Sequence, residues 1–117
     1  MDKEACLRCG IDYEEGVSRF MGHAELYEKF LGKFPSDPGY PALEAAMAAK
    51  DLPAAFQAAH TLKGVSGNLS LTALYRALLP FVDALRGEGD LPLAESLYPA
   101  VQAAYRQAVA YIGAQPG

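Results

Sequence analysis

The feature that most constrains the fold is an apolar stripe that recurs every three or four residues along two neighbouring segments. This spacing matches the turn of an α-helix and does not fit the two-residue period of a β-strand. Three or four residues separate the two segments, so the pattern predicts an antiparallel helical hairpin with matched apolar faces. The stripe comprises Ala55, Ala58, Leu62 and Val65 in the segment Leu52 to Asn68 with Leu69 directly after it, and Leu71, Leu74, Leu78, Phe81 and Leu85 in the next segment.

Other segments have the same helical spacing, and the chain contains no strand pattern. Short helices are predicted over 12–21, where Asp12 and Glu15 form a capping box, and over 41–50. The long helices that start near His23, Leu52, Leu71 and Pro92 suffice for an antiparallel four-helix bundle of the all-α class. The residues expected to face the core in the first and last of these helices are Leu26, Tyr27, Phe30, Leu31, Phe34, Leu93, Leu97, Val101, Ala104, Ala108 and Ile112.

These elements predict one domain over 1–117, with the bundle at about 23–113 and an N-terminal helical segment at 1–22. The 41–50 helix is expected to be an addition to the bundle. Asp51, Thr72 and Asp90 are predicted to cap the three later helices at their N-termini. Pro80 and Pro99 fall inside helical patterns, and each is predicted to kink its helix because proline lacks the backbone N–H.

Composition excludes several functional classes. The net charge of −4 argues against nucleic-acid binding. No stretch reaches the roughly 20 apolar residues of a membrane span, so a soluble, cytoplasmic protein is expected. Cys6 and Cys9 are interpreted as two reduced thiols, and no metal site is predicted, because a zinc site needs four ligands and only His23 and His60 could join them.

His60 lies on the side of its helix opposite the apolar stripe. At about 100° per residue, Lys63, Gly64 and Gly67 fall within about 60° of it. A glycine inside a helix costs about 0.5–1 kcal/mol relative to alanine. Two such glycines beside a histidine, in a chain rich in alanine, indicate that another molecule approaches this face closely.

Several interpretations of His60 compete, the simplest being an ordinary surface histidine. Metal binding is disfavoured because no second histidine or carboxylate lies three or four residues away. Acid–base and triad catalysis are disfavoured because a convex helix face has no cleft and no nucleophile, Ser66 lying about 120° away. Nucleophilic use of the imidazole remains: it can carry a phosphoryl group whose charge Lys63 would neutralise. No nucleotide motif is present, so the phosphoryl group would come from a partner protein and go to one.

The run AAHTLKGVSGN closely resembles the signature of histidine phosphotransfer (HPt) domains, in which H-x-x-K-G lies on a bundle helix. The flanking runs DYEEGVSRFMGHAELYEKFLGKF and LTALYRALLPFVDALRG are similar to the corresponding regions of that family. The resemblance extends roughly from Gly10 to Ile112.

The resemblance implies a phosphocarrier in a two-component phosphorelay, not an enzyme. His60 would be the phosphorylated residue, Lys63 would stabilise the phosphoryl charge, and Gly64 and Gly67 would leave room for the partner. The partners would be response-regulator receiver domains, a hybrid sensor histidine kinase, or both. The receiver would supply the aspartate and Mg²⁺, so this chain needs no cofactor. Helical spacing places three residues on the histidine's side for docking: Pro53, Phe56 and Gln57.

The sequence departs from the family pattern at two positions. Ser70 stands where a glycine is common, and Pro80 stands where a glutamate is common in the next helix. Alternative interpretations are the phosphoryl-accepting domain of a chemotaxis-type histidine kinase, a module that binds receivers without carrying phosphate, and a metal- or haem-binding bundle. A monomer is favoured over a dimer, because no exposed apolar seam is evident.

Overall fold

The computed structural model describes residues 1–116, and these residues form α-helices joined by short connections, with no β-strand among them. The all-α prediction is therefore confirmed. The helices are α1 (Lys3–Arg8), α2 (Tyr13–Arg19), α3 (Ala24–Lys33), α4 (Gly39–Ala48), α5 (Leu52–Asn68), α6 (Thr72–Leu85) and α7 (Leu91–Gly113), with a 3-10 turn at Phe34–Ser36 after α3.

Helices α4 to α7 pack successively against one another as hairpins, and α3 and α4 together form the fourth side of the bundle. The Tyr27 hydroxyl of α3 donates to the Leu69 carbonyl at 2.6 Å, which holds α3 beside the C-terminal end of α5. Helix α4 packs along the rest of α5. The expectation that the 41–50 helix lies outside the bundle is therefore wrong. The physical reason is length: the 10 residues of α3 span about 15 Å, whereas the 17 residues of α5 span about 26 Å.

The buried face of α5 is rotated relative to the face that the sequence indicates. Ala59 and Ser66 are fully buried, whereas Ala58 and Val65 are only half-buried. The Ser66 hydroxyl donates to the Lys63 carbonyl at 3.0 Å, so its burial leaves no donor unsatisfied. Ala55 and Leu62 of α5, and Leu69 at its C-terminal cap, are buried as predicted, and the whole predicted stripe of α6 is buried.

Three residues expected in the core lie at the surface instead. Leu26 and Phe30 of α3 are each 43% exposed, and Leu93 of α7 is 46% exposed. Tyr27 and Leu31, which were also predicted to face the core, are buried, and in α7 Ala94 takes the inward position in place of Leu93. The period of the pattern is right, but its phase depends on where the neighbouring helices lie.

The predicted caps are confirmed at two of the three later helices. The carboxylates of Asp51 and Asp90 accept from the backbone N–H of Ala54 and Leu93, each at 3.1 Å. Thr72 is not a cap, since the cap position of α6 is Leu71. The Thr72 hydroxyl donates instead to the Gly10 carbonyl at 3.2 Å, which ties the N-terminal segment to the start of α6.

The predicted capping box at α2 forms only in part. Asp12 accepts from the Glu15 N–H at 3.1 Å, but the Asp12 N–H donates to the Ser70 carbonyl at 2.9 Å. The Glu15 carboxylate accordingly accepts from the Ser70 hydroxyl at 2.9 Å rather than from Asp12. The N-terminal segment is thus attached to the α5–α6 turn. Helices α6 and α7 continue through Pro80 and Pro99, both exposed, and the bend at each proline stays a prediction.

Gly16 of α2 is buried directly under the aromatic ring of Tyr27, and a Cβ at this position would overlap that ring. Gly16→Ala is therefore expected to lower the free energy of unfolding by about 1–3 kcal/mol, because Tyr27 would have to leave its bond to Leu69. Urea unfolding followed by circular dichroism measures this change. Gly32→Ala, in open space on α3, is the control and should be neutral or stabilising by up to about 1 kcal/mol. Equal midpoints for the two variants would contradict the packing explanation.

Candidate functional site

His60 lies near the middle of α5 with its imidazole exposed to solvent. Within residues 1–116 the ring makes no hydrogen bond or ion pair. Its aromatic neighbour is Phe56, one turn earlier, with ring centroids 5.7 Å apart and planes inclined by 33°. The imidazole is therefore supported from one side and open on the other, so a nitrogen lone pair can be reached from outside.

Lys63 follows one turn after His60 and is half-buried. No carboxylate in the described part of the chain pairs with its ammonium group. A cation that is not already neutralised can respond to negative charge brought to this face. Because residues three apart lie on the same side of a helix, Lys63 is next to His60, as the sequence predicts.

The two glycines of the motif have different surroundings. A Cβ at Gly64 would meet no atom within 4 Å, so no contact inside the protein requires glycine there. A Cβ at Gly67 would lie 3.1 Å from Cε1 of Tyr75 on α6, so close packing within the bundle already accounts for this glycine. Internal packing therefore does not account for Gly64, whereas Gly67 has a structural reason that the sequence did not reveal.

The three predicted docking residues lie on α5 before the histidine. Pro53 and Gln57 are exposed, and Phe56 is half-buried against the core. The guanidinium of Arg86, just after α6, lies 5.4 Å from the centre of the Phe56 ring in a cation–π arrangement. Sequence reasoning missed Arg86, because only the packing of α6 against α5 brings residues 30 positions apart together.

A groove beside the site lies between α2, α5 and α6. It is lined by Lys63, Gly64 and Gly67 of α5, by Tyr75, Arg76 and Leu79 of α6, and by Glu15 and Arg19 of α2. We call this feature the basic groove. No local pattern marks Arg19 or Arg76 as part of the site: Arg76 comes beside it because α6 packs against α5, and Arg19 because α2 is attached to the α5–α6 turn.

Ser70 occupies the turn between α5 and α6 with a φ of 54°. This left-handed conformation favours glycine, the residue that the resemblance leads one to expect here. The serine is buried, and its hydroxyl bond to Glu15 offsets part of the conformational cost. The departure from the pattern therefore adds an attachment for α2.

The two cysteines are free thiols. Cys6 is buried, Cys9 is half-buried, and burial raises the pKa of the Cys6 thiol. Across residues 1–116, no group of three or more histidine, cysteine, aspartate or glutamate side chains is arranged to hold a metal ion. None of the helices described is both long enough and apolar enough to cross a membrane.

Comparison with protein-family models identifies the class. The model described as "Hpt domain" matches residues 25–111, about three quarters of the chain, and the chain belongs to this family. The matched region contains α4, α5 and α6 and nearly all of α3 and α7, so it includes the His60 face. No significant match to a curated protein or to a solved structure was found. Membership supports a histidine phosphotransfer module of phosphorelays, and such modules interact with receiver domains and kinases.

Proposed function

We propose that this protein accepts a phosphoryl group on His60 from the aspartyl phosphate of one receiver domain and passes it to the aspartate of another. The observation that carries the proposal is the exposed, unpaired imidazole of His60 beside the open space at Gly64. This arrangement lies on a rigid bundle helix within the region that matches the Hpt family. A nucleophile held on a packed helix keeps its position while a partner docks.

The transfer is a displacement at phosphorus. The lone pair of one imidazole nitrogen attacks, an N–P bond forms, the bond between phosphorus and the carboxylate oxygen of the donor breaks, and the aspartate leaves as a carboxylate. The proton on the other imidazole nitrogen stays there during the attack. The ammonium of Lys63 offsets negative charge as the phosphoryl group arrives and leaves. The second transfer is the same reaction in reverse, with the acceptor's carboxylate as nucleophile.

The partner must supply what this chain lacks for phosphoryl transfer. We expect the receiver to contribute the aspartate and the Mg²⁺ that binds the phosphoryl oxygens. The chain is then a phosphocarrier that is modified and restored in each cycle rather than an enzyme with a bound substrate. Pro53, Phe56 and Gln57 would contact the receiver beside His60, and Gly67 would add to the room at Gly64.

The test is transfer from a phosphorylated receiver. Candidate receiver domains from the same organism are purified, labelled with radioactive acetyl phosphate and Mg²⁺, freed of excess donor, and mixed with the protein. We expect label to move to this chain from at least one receiver and to be acid-labile and base-stable, as a phosphoramidate of histidine is. A receiver that binds without transferring would contradict the phosphocarrier function and favour a binding module. Label that arrives from ATP and a kinase domain but never from a receiver would favour the chemotaxis-type alternative.

A further inference from the structure

The basic groove is continuous with the face of α5 that carries His60. Lys63 and Gly64, which flank His60 on α5, also line the groove, and Arg76 and Arg19 lie further along it. Gly67 also lines the groove, and the Tyr75 ring packs so closely against it that a Cβ there would be only 3.1 Å from the ring. A protein bound over His60 would extend into this groove without meeting a side chain at Gly64.

The charge of the groove is opposite to that of the whole protein. Three cations, Arg19, Lys63 and Arg76, line it together with one carboxylate, Glu15, whereas the chain has a net charge of −4. The Glu15 carboxylate is already engaged, because it accepts from Ser70 and pairs with Arg19 at 3.4 Å. Arg76 is exposed and forms no ion pair with any residue among 1–116. Its positive charge is thus available to a ligand.

We infer that the basic groove binds acidic side chains of the receiver at the rim of its phosphoacceptor pocket, and that Arg76 is the main specificity-determining contact there. This inference rests on the proposed function. A pocket that must hold Mg²⁺ is rich in carboxylates, and a cationic groove beside His60 is complementary to its rim. Opposed charges at an interface rim mainly accelerate association and make affinity depend on salt. The residues of the groove, rather than His60 itself, would then determine which receiver binds.

A graded series at Arg76 tests this inference. Arg76→Lys, Arg76→Ala and Arg76→Glu are compared with wild type, using the receiver domain that gives the fastest transfer in the experiment above. The receiver concentration at half-maximal rate should rise in that order and reach about tenfold or more for Arg76→Glu at 50 mM salt. The limiting rate at saturation should change much less, because Arg76 is not required for the bond-making step. The difference between variants should shrink at 500 mM salt, where charges are screened.

Lys29→Glu supplies the matched control. It makes the same change of net charge at an exposed residue of α3, which lies near Ile112 and Gly113 rather than in the groove. We expect this variant to transfer like wild type. Equal losses in Lys29→Glu and Arg76→Glu would overturn the inference in favour of a simple net-charge effect.

Two further outcomes separate the possible failures. If wild type and Arg76→Glu transfer equally well at low salt, the groove inference alone is overturned. If wild type receives no label from any receiver, the proposed function is overturned as well. Inorganic phosphate, added at constant ionic strength, tests whether the groove binds a small free anion instead of acidic side chains. Inhibition of wild type but not of Arg76→Ala by millimolar phosphate would show a site for small anions and overturn the assignment to receiver side chains.

Discussion

His60→Gln is expected to abolish labelling by a phosphorylated receiver completely. Glutamine keeps a polar side chain of similar reach but has no nitrogen lone pair basic enough to attack phosphorus. The fold should be unaffected, because the imidazole is exposed and makes no hydrogen bond within residues 1–116. The measurement is the incorporation of label at saturating receiver, together with the urea midpoint of the variant.

His23→Gln is the control, since His23 is the other histidine of the chain. It precedes α3, is exposed, and its side chain makes no capping bond. This variant should be labelled like wild type. Label that survives in His60→Gln would show that the phosphoryl group is carried elsewhere, and loss of label in His23→Gln alone would move the site to His23.

Gly64→Gln is expected to separate stability from function. The space around Gly64 is empty, so the glutamine side chain fits without strain, and replacing a helical glycine raises helix propensity by about 0.5–1 kcal/mol. The same side chain would occupy the space through which the receiver reaches His60. A displacement of the reacting groups by about 1 Å costs roughly 100-fold in rate, so receiver transfer should slow by about that factor. Stopped-flow or quenched-flow transfer and urea unfolding measure the two effects.

Gly32→Gln is a close match for this experiment. Gly32 is also an exposed helical glycine whose Cβ would meet nothing within 4 Å, but it lies on α3. It should gain similar stability and transfer at the wild-type rate. Phosphoramidate, a small donor that needs less room than a receiver, should label Gly64→Gln with a much smaller loss of rate. Wild-type transfer from the receiver in Gly64→Gln would refute the explanation of this glycine as space for a partner.

Local patterns were sufficient for the helical class, the α5–α6 hairpin and the exposed face that carries His60, Lys63 and Gly64. These features depend on the 3.6-residue period and on the contrast between apolar and polar positions. Both can be read from residues that are close together in the sequence. The caps at Asp51 and Asp90 were predictable for the same reason, since a cap acts within its own first turn.

Other features were decided by contacts between distant parts of the chain. The phase of the α5 stripe, with Ala59 and Ser66 inside, follows from the positions of the helices that pack against α5, α4 and α6. The place of α4 within the bundle follows from the shortness of α3. Thr72 looked like a cap in its local sequence, but its hydroxyl bonds to Gly10, which lies 62 positions earlier.

The sequence by itself determined the exposed face that carries His60, Lys63 and Gly64, because these residues lie within one or two turns of a single helix. Only the tertiary structure decided the surroundings of that face. Arg86 reaches Phe56, and Arg76 lines the same groove as Lys63, because α6 folds back along α5. Arg19 joins that groove because the Asp12–Ser70 bond holds α2 against the turn. Periodicity specifies which side of a helix is polar, but only packing specifies which distant side chains lie beside it.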